Sequence, residues 1–529
     1  DNIASDIKYT IENAINNGGD IMGTSARDIN GDVITEIVRP LGGSREIFNV
    51  GNIGGIVGYM DGDNVYVTAS GNRGTVHSKE IAEANKEKPL NSNTAANVGG
   101  IVGKIDRSSN ANLNTIEENV ENAAVSNSYN SADVLGYTGV GGIAGMMYNG
   151  SIAGSYNTGY LRTTRLVAES GGIASLNMGG IVGDTTENTD SRSVLYDVYN
   201  KGQIGDDTYT YYGRHIGGIV GRLSGTVEKA YNNGAIYNGY NVVGGIVGWL
   251  SAGNVNNVFN TGNITVINQN TATSQVGGIV GAVGNAHGAV TISNAYNLGA
   301  LRTFKNTNIG TVGNNSIGGI LGEVSDGTGG INNEVTIKDV YTTGNIYAGN
   351  IAGIEGIATE NADAQIGKIF GHSVKTHNGT SYDSVVNVFN AYYIKPASDN
   401  GFTAINTNTH ENAFERSDNI INVDYTDRMD DNYNFSDSSD WRIYEGNTTP
   451  ILNAFMPNSS SYLNSNKNDW SNLGITGVQY GTAYDPLMTF ITANKDLSLN
   501  FSDLGITNSA GLVVKDYGLT LNDFTTVNG

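Results

Sequence analysis

The apolar residues of this chain fall in short β-branched runs, cut by paired glycines and by turns rich in asparagine and glycine. Val255-x-Asn257-Val258-Phe259 and Ile337-x-Asp339-Val340-Tyr341 show the pattern. Neither has the three-to-four-residue spacing of an amphipathic helix, and both read as strands bounded by turns. Two phrases carry the pattern along the chain. The first is Gly-Gly-Ile-Val-Gly, at 54–58, 99–103, 179–183, 217–221, 244–248 and 277–281, with variants at 141–145, 318–322 and 367–371. The second is aromatic-Asn-x-Gly, beginning at Tyr156, Tyr199, Tyr231, Phe259 and Tyr296. Two phrases alternating at a few tens of residues predict a stacked repeat instead of one globular core.

The shortest unit, Gly217 to Gly244, is 27 residues; the others are 33 to 49. A coil of about this minimal length, carrying loops of variable size, accounts for the spread. Stacked coils bring each phrase over its predecessor, with parallel strands about 4.8 Å apart. Equivalent side chains then form columns. One holds small or aliphatic residues: Ser128, Ser155, Val198, Ala230, Val258, Ala295, Val340 and Val388. The next is aromatic: Tyr129, Tyr156, Tyr199, Tyr231, Phe259, Tyr296, Tyr341 and Phe389. Asparagine follows in most copies, and stacked amides can hydrogen-bond along the axis. The glycine after it suits a turn with positive φ. In Gly-Gly-Ile-Val-Gly, the glycines suit a sharp corner and close coil-to-coil approach, with isoleucine entering the core. A structural role explains both phrases without a ligand.

Residues 1–45 lack both phrases, but 7–11 and 33–38 alternate in strand fashion and predict entry coils or a cap over an open sheet edge. The helix proper is expected over 46–395. Segments 78–97, 303–315 and 359–365 read as loops, and Lys79–Lys86 within the first is rich in helix formers. Residues 396–457 form an irregular acidic segment ending in a block around Trp441. Asn458–Asn472 reads as a linker, and 473–529 as a C-terminal β-rich segment of further solenoid coils. The expected class is all-β.

Composition narrows the function. Glycine supplies 73 residues but proline only 6, which is not the proline-rich signature of a linker or disordered chain. A net charge of −22 opposes binding to nucleic acid or anionic lipid and keeps a long repeat array dispersed. With no cysteine there is no thiolate chemistry, and a large secreted chain of this kind fits a bacterial exoprotein. No run approaches the roughly 18 apolar residues of a membrane helix, so membrane insertion is not expected. The start at Asp1 suggests a mature or excised form.

Gly-Gly-Ile-Val-Gly flanked by Tyr-Asn-x-Gly resembles the GLUG repeat of large bacterial surface proteins, among them filamentous-haemagglutinin-like adhesins exported by two-partner secretion. The block from Trp441 to Glu445, followed by Pro450-Ile451-Leu452 and Phe455, is similar to the segment that closes such arrays. The resemblance implies a right-handed parallel β-helix (β-solenoid) with inserted loops, displayed outside the cell. It implies an adhesin-like stalk whose partner is a host or bacterial surface glycan or protein. The alternative is a structural subunit that self-associates along coil ends or edges.

The enzymatic rival is a polysaccharide-degrading β-helix. Asp190, Asp206, Asp207 and His215 follow the order of the polygalacturonase constellation, whose carboxylates need acid and base spacing. The context departs from it: no glycine follows His215, and Asp190 and Asp206 flank an aromatic-Asn phrase. The six histidines (His77, His215, His287, His372, His377 and His410) never take the spacing of a zinc protease helix. Asp28–Asp32 opens like a calcium loop but has Val33 and Arg39 where glycine and an acid belong. Asp61-Gly62-Asp63 and Asp430-Asp431 read as solvated turns. The expectation is therefore a non-enzymatic chain with no cofactor, no metal and no catalytic residue.

Overall fold

The computed structural model describes most of residues 8–394, together with 409–416, 435, 440–442 and 450–455. Outside the description lie 23–34, 39–44, 78–96, 108–121, 164–176, 186–192, 207–212 and several shorter stretches. Lys79–Lys86, Asp28–Asp32, Asp190, Asp207, Asp430, Asp431, the linker and the 473–529 extension fall there too. The described residues belong to two compact units, 1–391 with 399–413, and 392–398 with 414–529.

The first unit is a parallel β-helix. Strands that lead into Gly-Gly form one nine-stranded sheet running from Ile53–Gly54 through His215–Gly217 to Gln365–Gly367. Strands that leave the motif and continue into the aromatic phrase form a second sheet, in which Val220–Asn232 pairs in parallel with Val247–Asn260. A third row runs from Ile21–Met22 through Val76–His77, Val134–Gly136 and Leu161–Thr163. Ile204 bridges it to Ile236–Asn238, Ile264–Asn268, Leu301–Asn306 and Ile346–Ile351. Parallel order follows from the repeat, because a coil that closes on itself must re-enter each sheet in the same direction. The core between the first and third sheets is built from Val98, Val140, Met178, Ile216, Val243 and Val276 on one side. Val76, Val134, Leu161, Ile204, Ile236 and Ile264 face them from the other.

The motif isoleucines Ile101, Ile143, Ile181, Ile219, Ile246, Ile279, Ile320 and Ile369 are fully buried, as the sequence predicts, and only that of the first copy, Ile56, is half-buried. Each motif glycine is required by close approach. A Cβ on Gly217 would stand 1.9 Å from the Val220 carbonyl oxygen in the same turn, and one on Gly218 would stand 2.0 Å from Gly245 in the next coil. On Gly221 it would meet the Gly183 carbonyl of the preceding coil at 2.5 Å. One phrase thus makes the corner and sets the coil-to-coil contact on both sides.

Three expectations change. The glycines of Asn-x-Gly do not take positive φ. They are small because the preceding coil lies against them: a Cβ on Gly202 would fall 1.9 Å from the Gly159 carbonyl, and one on Gly234 would fall 2.0 Å from that of Gly202. Left-handed backbone appears instead just before the small-residue column, at Asn13, Ala69, Asn127, Gly154, Asp197, Lys229, Asn257, Asn294, Asp339 and Asn390. This column also corrects the last repeat. With Asn390 left-handed and hydrogen-bonded to Asp339 at 3.0 Å, Ala391 and Tyr392 take the small and aromatic positions. Val388 is buried at another position of the strand, and Phe389 lies 41% exposed. The third change is that two expected loops are partly strand: Thr303–Asn306 completes the strand Leu301–Asn306 and leads into a short 3-10 turn at Thr307–Ile309, and in 359–365 Thr359–Glu360 pairs antiparallel with Gly349–Asn350 while Gln365 opens the strand Gln365–Gly367.

Near the chain start, Tyr9–Glu12 and Ile15–Asn16 pair in parallel with Val65–Thr68 and Gly71–Asn72, forming the first coil. Thr35–Val38 and Arg45–Phe48 form an antiparallel hairpin. In the second unit Trp441–Arg442 pairs antiparallel with Ile451–Leu452. The Trp441 ring stacks on Phe435 at 4.3 Å, Tyr392 meets Phe435 edge-on at 5.3 Å, and Phe455 is buried.

Candidate functional site

The aromatic-Asn phrase builds a continuous polar and aromatic ladder. Asn16 donates through Nδ2 to Asn72 Oδ1 at 2.8 Å, and the same bond recurs from Asn72 to Asn130, Asn157, Asn200, Asn232, Asn260 and Asn297 at 2.7–2.8 Å. The second Nδ2 proton of Asn232 goes to the Gly234 carbonyl, and its Oδ1 also accepts from the Gly234 amide. Each interior amide therefore fills its donors and acceptors inside one turn and its two neighbours, which removes the cost of burying it. The ladder ends at Thr342, whose hydroxyl accepts from Asn297 at 3.4 Å. Beside it the rings of Tyr156, Tyr199, Tyr231, Phe259 and Tyr296 stack at 4.8–4.9 Å, within 5° of parallel. Burial pushes the Tyr296 hydroxyl well above its ordinary value, so it stays protonated.

A second polar row was not foreseen. The residue two before the first motif glycine and the residue after the last one, seven apart, flank the glycine corner. Asn177 and Asp184 are such a pair, joined by an Nδ2 to Oδ2 bond of 2.5 Å. His215, in register with Asn177, shares a 2.7 Å hydrogen bond between Nδ1 and Asn177 Oδ1. Because the Asn177 amide nitrogen already faces Asp184, its oxygen accepts, and Nδ1 carries the proton. Burial, then Arg214 and Arg222, hold His215 well below the ordinary histidine value, so the ring is neutral. Trp249 packs at 5.3 Å from it. Farther along, Gln275 hydrogen-bonds Glu323 and Ser325, and Ser325 donates to Glu323 at 3.0 Å. The seven-residue spacing across Gly-Gly-x-x-Gly was the signal that could have found this row.

Of the carbohydrate-enzyme order, only Asp206 and His215 are among the described residues. Asp206 pairs with Arg162 at 3.3 Å beside the third row of strands, whereas His215 is committed to Asn177 in the first sheet. Among the described residues no three His, Asp or Glu side chains are grouped to hold a metal ion. Asp61, Gly62 and Asp63 lie at a strand end and turn, with Gly62 at φ +104°. No helix among the described residues is long and apolar enough to cross a membrane.

No family model matches the chain, and no solved structure matches it. A stretch of 193 residues is 26% identical to halomucin of Haloquadratum walsbyi, covering 35% of this chain and 2% of that protein.

Proposed function

We propose that the chain is a non-enzymatic display segment of a large extracellular surface protein, with the β-helix as a stalk and the inserted loops as its contact surfaces. The observation that carries this reading is the unbroken amide ladder from Asn16 to Asn297. Its polar groups are spent on fixing coil to coil, leaving the variable insertions as the part free to differ between repeats. The partial likeness to halomucin, with this chain matching so small a share of that protein, supports a segment of something far longer. The likeness of the glycine phrase to GLUG repeats supports an adhesin-like role, with a surface glycan or protein as partner.

The test displays the whole chain on a non-adherent bacterium and measures attachment to glycan-coated and protein-coated surfaces, with a panel of polysaccharides offered for cleavage in parallel. Attachment that disappears when 164–176 or 186–192 is replaced by a Gly/Ser stretch supports the proposal. Polysaccharide cleavage abolished by Asp190→Asn or Asp207→Asn would replace it with an enzyme.

A further inference from the structure

The glycine corner in the middle of the stack carries a positive spot that the chain leaves unneutralised. His215 and Arg222 flank the corner of one coil, and Trp249 is the register partner of Arg222 in the next. The Arg222 and Trp249 side chains therefore leave the same face about 4.8 Å apart. Arg214 and Arg222 both help to hold His215 neutral, which places the two guanidinium groups close to its ring. Neither arginine enters a hydrogen bond or an ion pair through its guanidinium among the described residues. Asp184, the register partner of Arg222 in the coil before, binds Asn177 instead. With 51 acidic residues for 29 basic ones, the chain has no shortage of carboxylates to pair with them.

The groups are held in place and open outward. Arg214 is exposed and Arg222 is half-buried. The Arg222 Nε is shut from solvent without an acceptor, so the stem is packed and the outer end of the fork meets solvent. Beside it, the Trp249 indole is wedged between the His215 ring, at 5.3 Å, and Gly284 of the following coil, where a Cβ would stand 2.5 Å from the six-membered ring. Trp249 remains half-buried, and its Nε1 is shut from solvent with no acceptor. Buried donors without a partner are uncommon in folded proteins, and a ligand oxygen is one way to supply the acceptor.

Three features select the ligand. A planar guanidinium reads a carboxylate through two parallel N–H bonds. A fixed, half-exposed indole offers a flat apolar surface to the C–H face of a pyranose ring. A net charge of −22 repels a polyanion, which favours a single acid group on an otherwise neutral molecule. We propose that Arg214, Arg222 and Trp249 form a binding site for one carboxylate-bearing sugar residue, a hexuronate or a sialate, with the carboxylate on the arginines and the ring against the indole. His215, bonded to Asn177, supports the indole from the coil before. The site deepens the reading of a surface glycan as partner, but it lies on the coil and not on an inserted loop.

The whole chain is titrated by calorimetry with D-glucuronate, N-acetylneuraminate, glucose and acetate. One of the two sugar acids should bind saturably, with Kd on the order of 1 mM for so small a ligand. It should bind at least about tenfold tighter than glucose or acetate, each of which carries only half of the recognised chemistry. Whether glucuronate or N-acetylneuraminate binds distinguishes a hexuronate from a sialate. Arg222→Gln should weaken binding at least about tenfold, as the loss of a charge-assisted hydrogen bond does. Arg214→Gln, at an exposed position where folding is not at stake, should weaken it about threefold. Trp249→Ala should bring the sugar acid down to the level of acetate, with an unchanged melting temperature showing that the coil is intact. No saturable binding of either acid, acetate binding as tightly, or binding that survives both arginine substitutions overturns the proposal. Surface attachment that depends on the inserted loops, without sugar-acid binding in solution, would remove this site and leave the display reading standing.

Discussion

At the scale of single residues, stability is concentrated in side chains that serve two coils at once. Asn232 accepts from Asn200 and donates to Asn260, all three fully buried. Asn232→Leu keeps the branched shape but strands one donor above and one acceptor below, each costing about 1–3 kcal/mol. The expected loss is about 3 kcal/mol or more, read by urea denaturation, with exchange rising first in the coils at 200 and 260. Lys229 holds φ +54° against the Cβ repulsion of the left-handed region, and its 3.7 Å pair with Asp197 is partly solvated. Lys229→Gly should therefore stabilise the fold by about 1 kcal/mol, whereas a loss of stability would mean that the ion pair outweighs the backbone strain. His215 gives the pH dependence. Its folded value is depressed below the unfolded 6.5, so below that pH the unfolded chain takes up a proton that the folded chain refuses. Its contribution to stability is complete above about pH 6.5 and declines as pH falls through it. His215→Gln should flatten this part of the melting-temperature profile between pH 7 and 5.

At the scale of elements, the corner glycines and the kinked strand set the coil. Gly218→Ala places a methyl 2.0 Å from the Gly245 backbone of the next coil, where no side chain can yield. It should cost several kcal/mol, beyond the usual range for overpacking, and lower expression of soluble chain. Gly62→Ala is the contrast: φ is +104° but no atom lies within 4 Å, so only the strain of about 1–2 kcal/mol is expected. Equal effects on the thermal melt would refute the close-approach argument. The two phrases, their strand character, the isoleucine burial and the ladders were all legible, because each repeats and each follows from side-chain size. The backbone sign was not. Glycine's tolerance of positive φ points to the Asn-x-Gly glycines, yet Asn257, Asp197 and Lys229 adopt it while the glycines answer crowding from another coil. That crowding is a contact between residues about one coil apart and leaves no local trace. The same bend misled the last repeat, where Val388-Phe389-Asn390 imitates the phrase until the left-handed turn at Asn390 moves the aromatic position to Tyr392. The Asn177–Asp184–His215 row is not legible in strand periodicity, because its members lie in separate coils or seven residues apart.

At the scale of the β-helix itself, coils of unequal length share one cross-section, so sequence separation and spatial separation part company. Residues 77, 135, 162, 237, 265, 302 and 347 occupy one column of the third row, and Gly205 beside the Ile204 bridge fills the level between 162 and 237. The absence of cysteine allows clean pairwise labelling. Spin labels at His77→Cys with Thr265→Cys, Arg302→Cys or Tyr347→Cys, measured by pulsed electron resonance, test the stack most directly. Five, six and seven coil steps at about 4.8 Å predict separations of about 24, 29 and 34 Å, before the label linkers are allowed for. A rise in equal steps of about 4.8 Å is the result a parallel, in-register solenoid requires. Separations that do not increase in order, or that rise by steps far from this spacing, would contradict it.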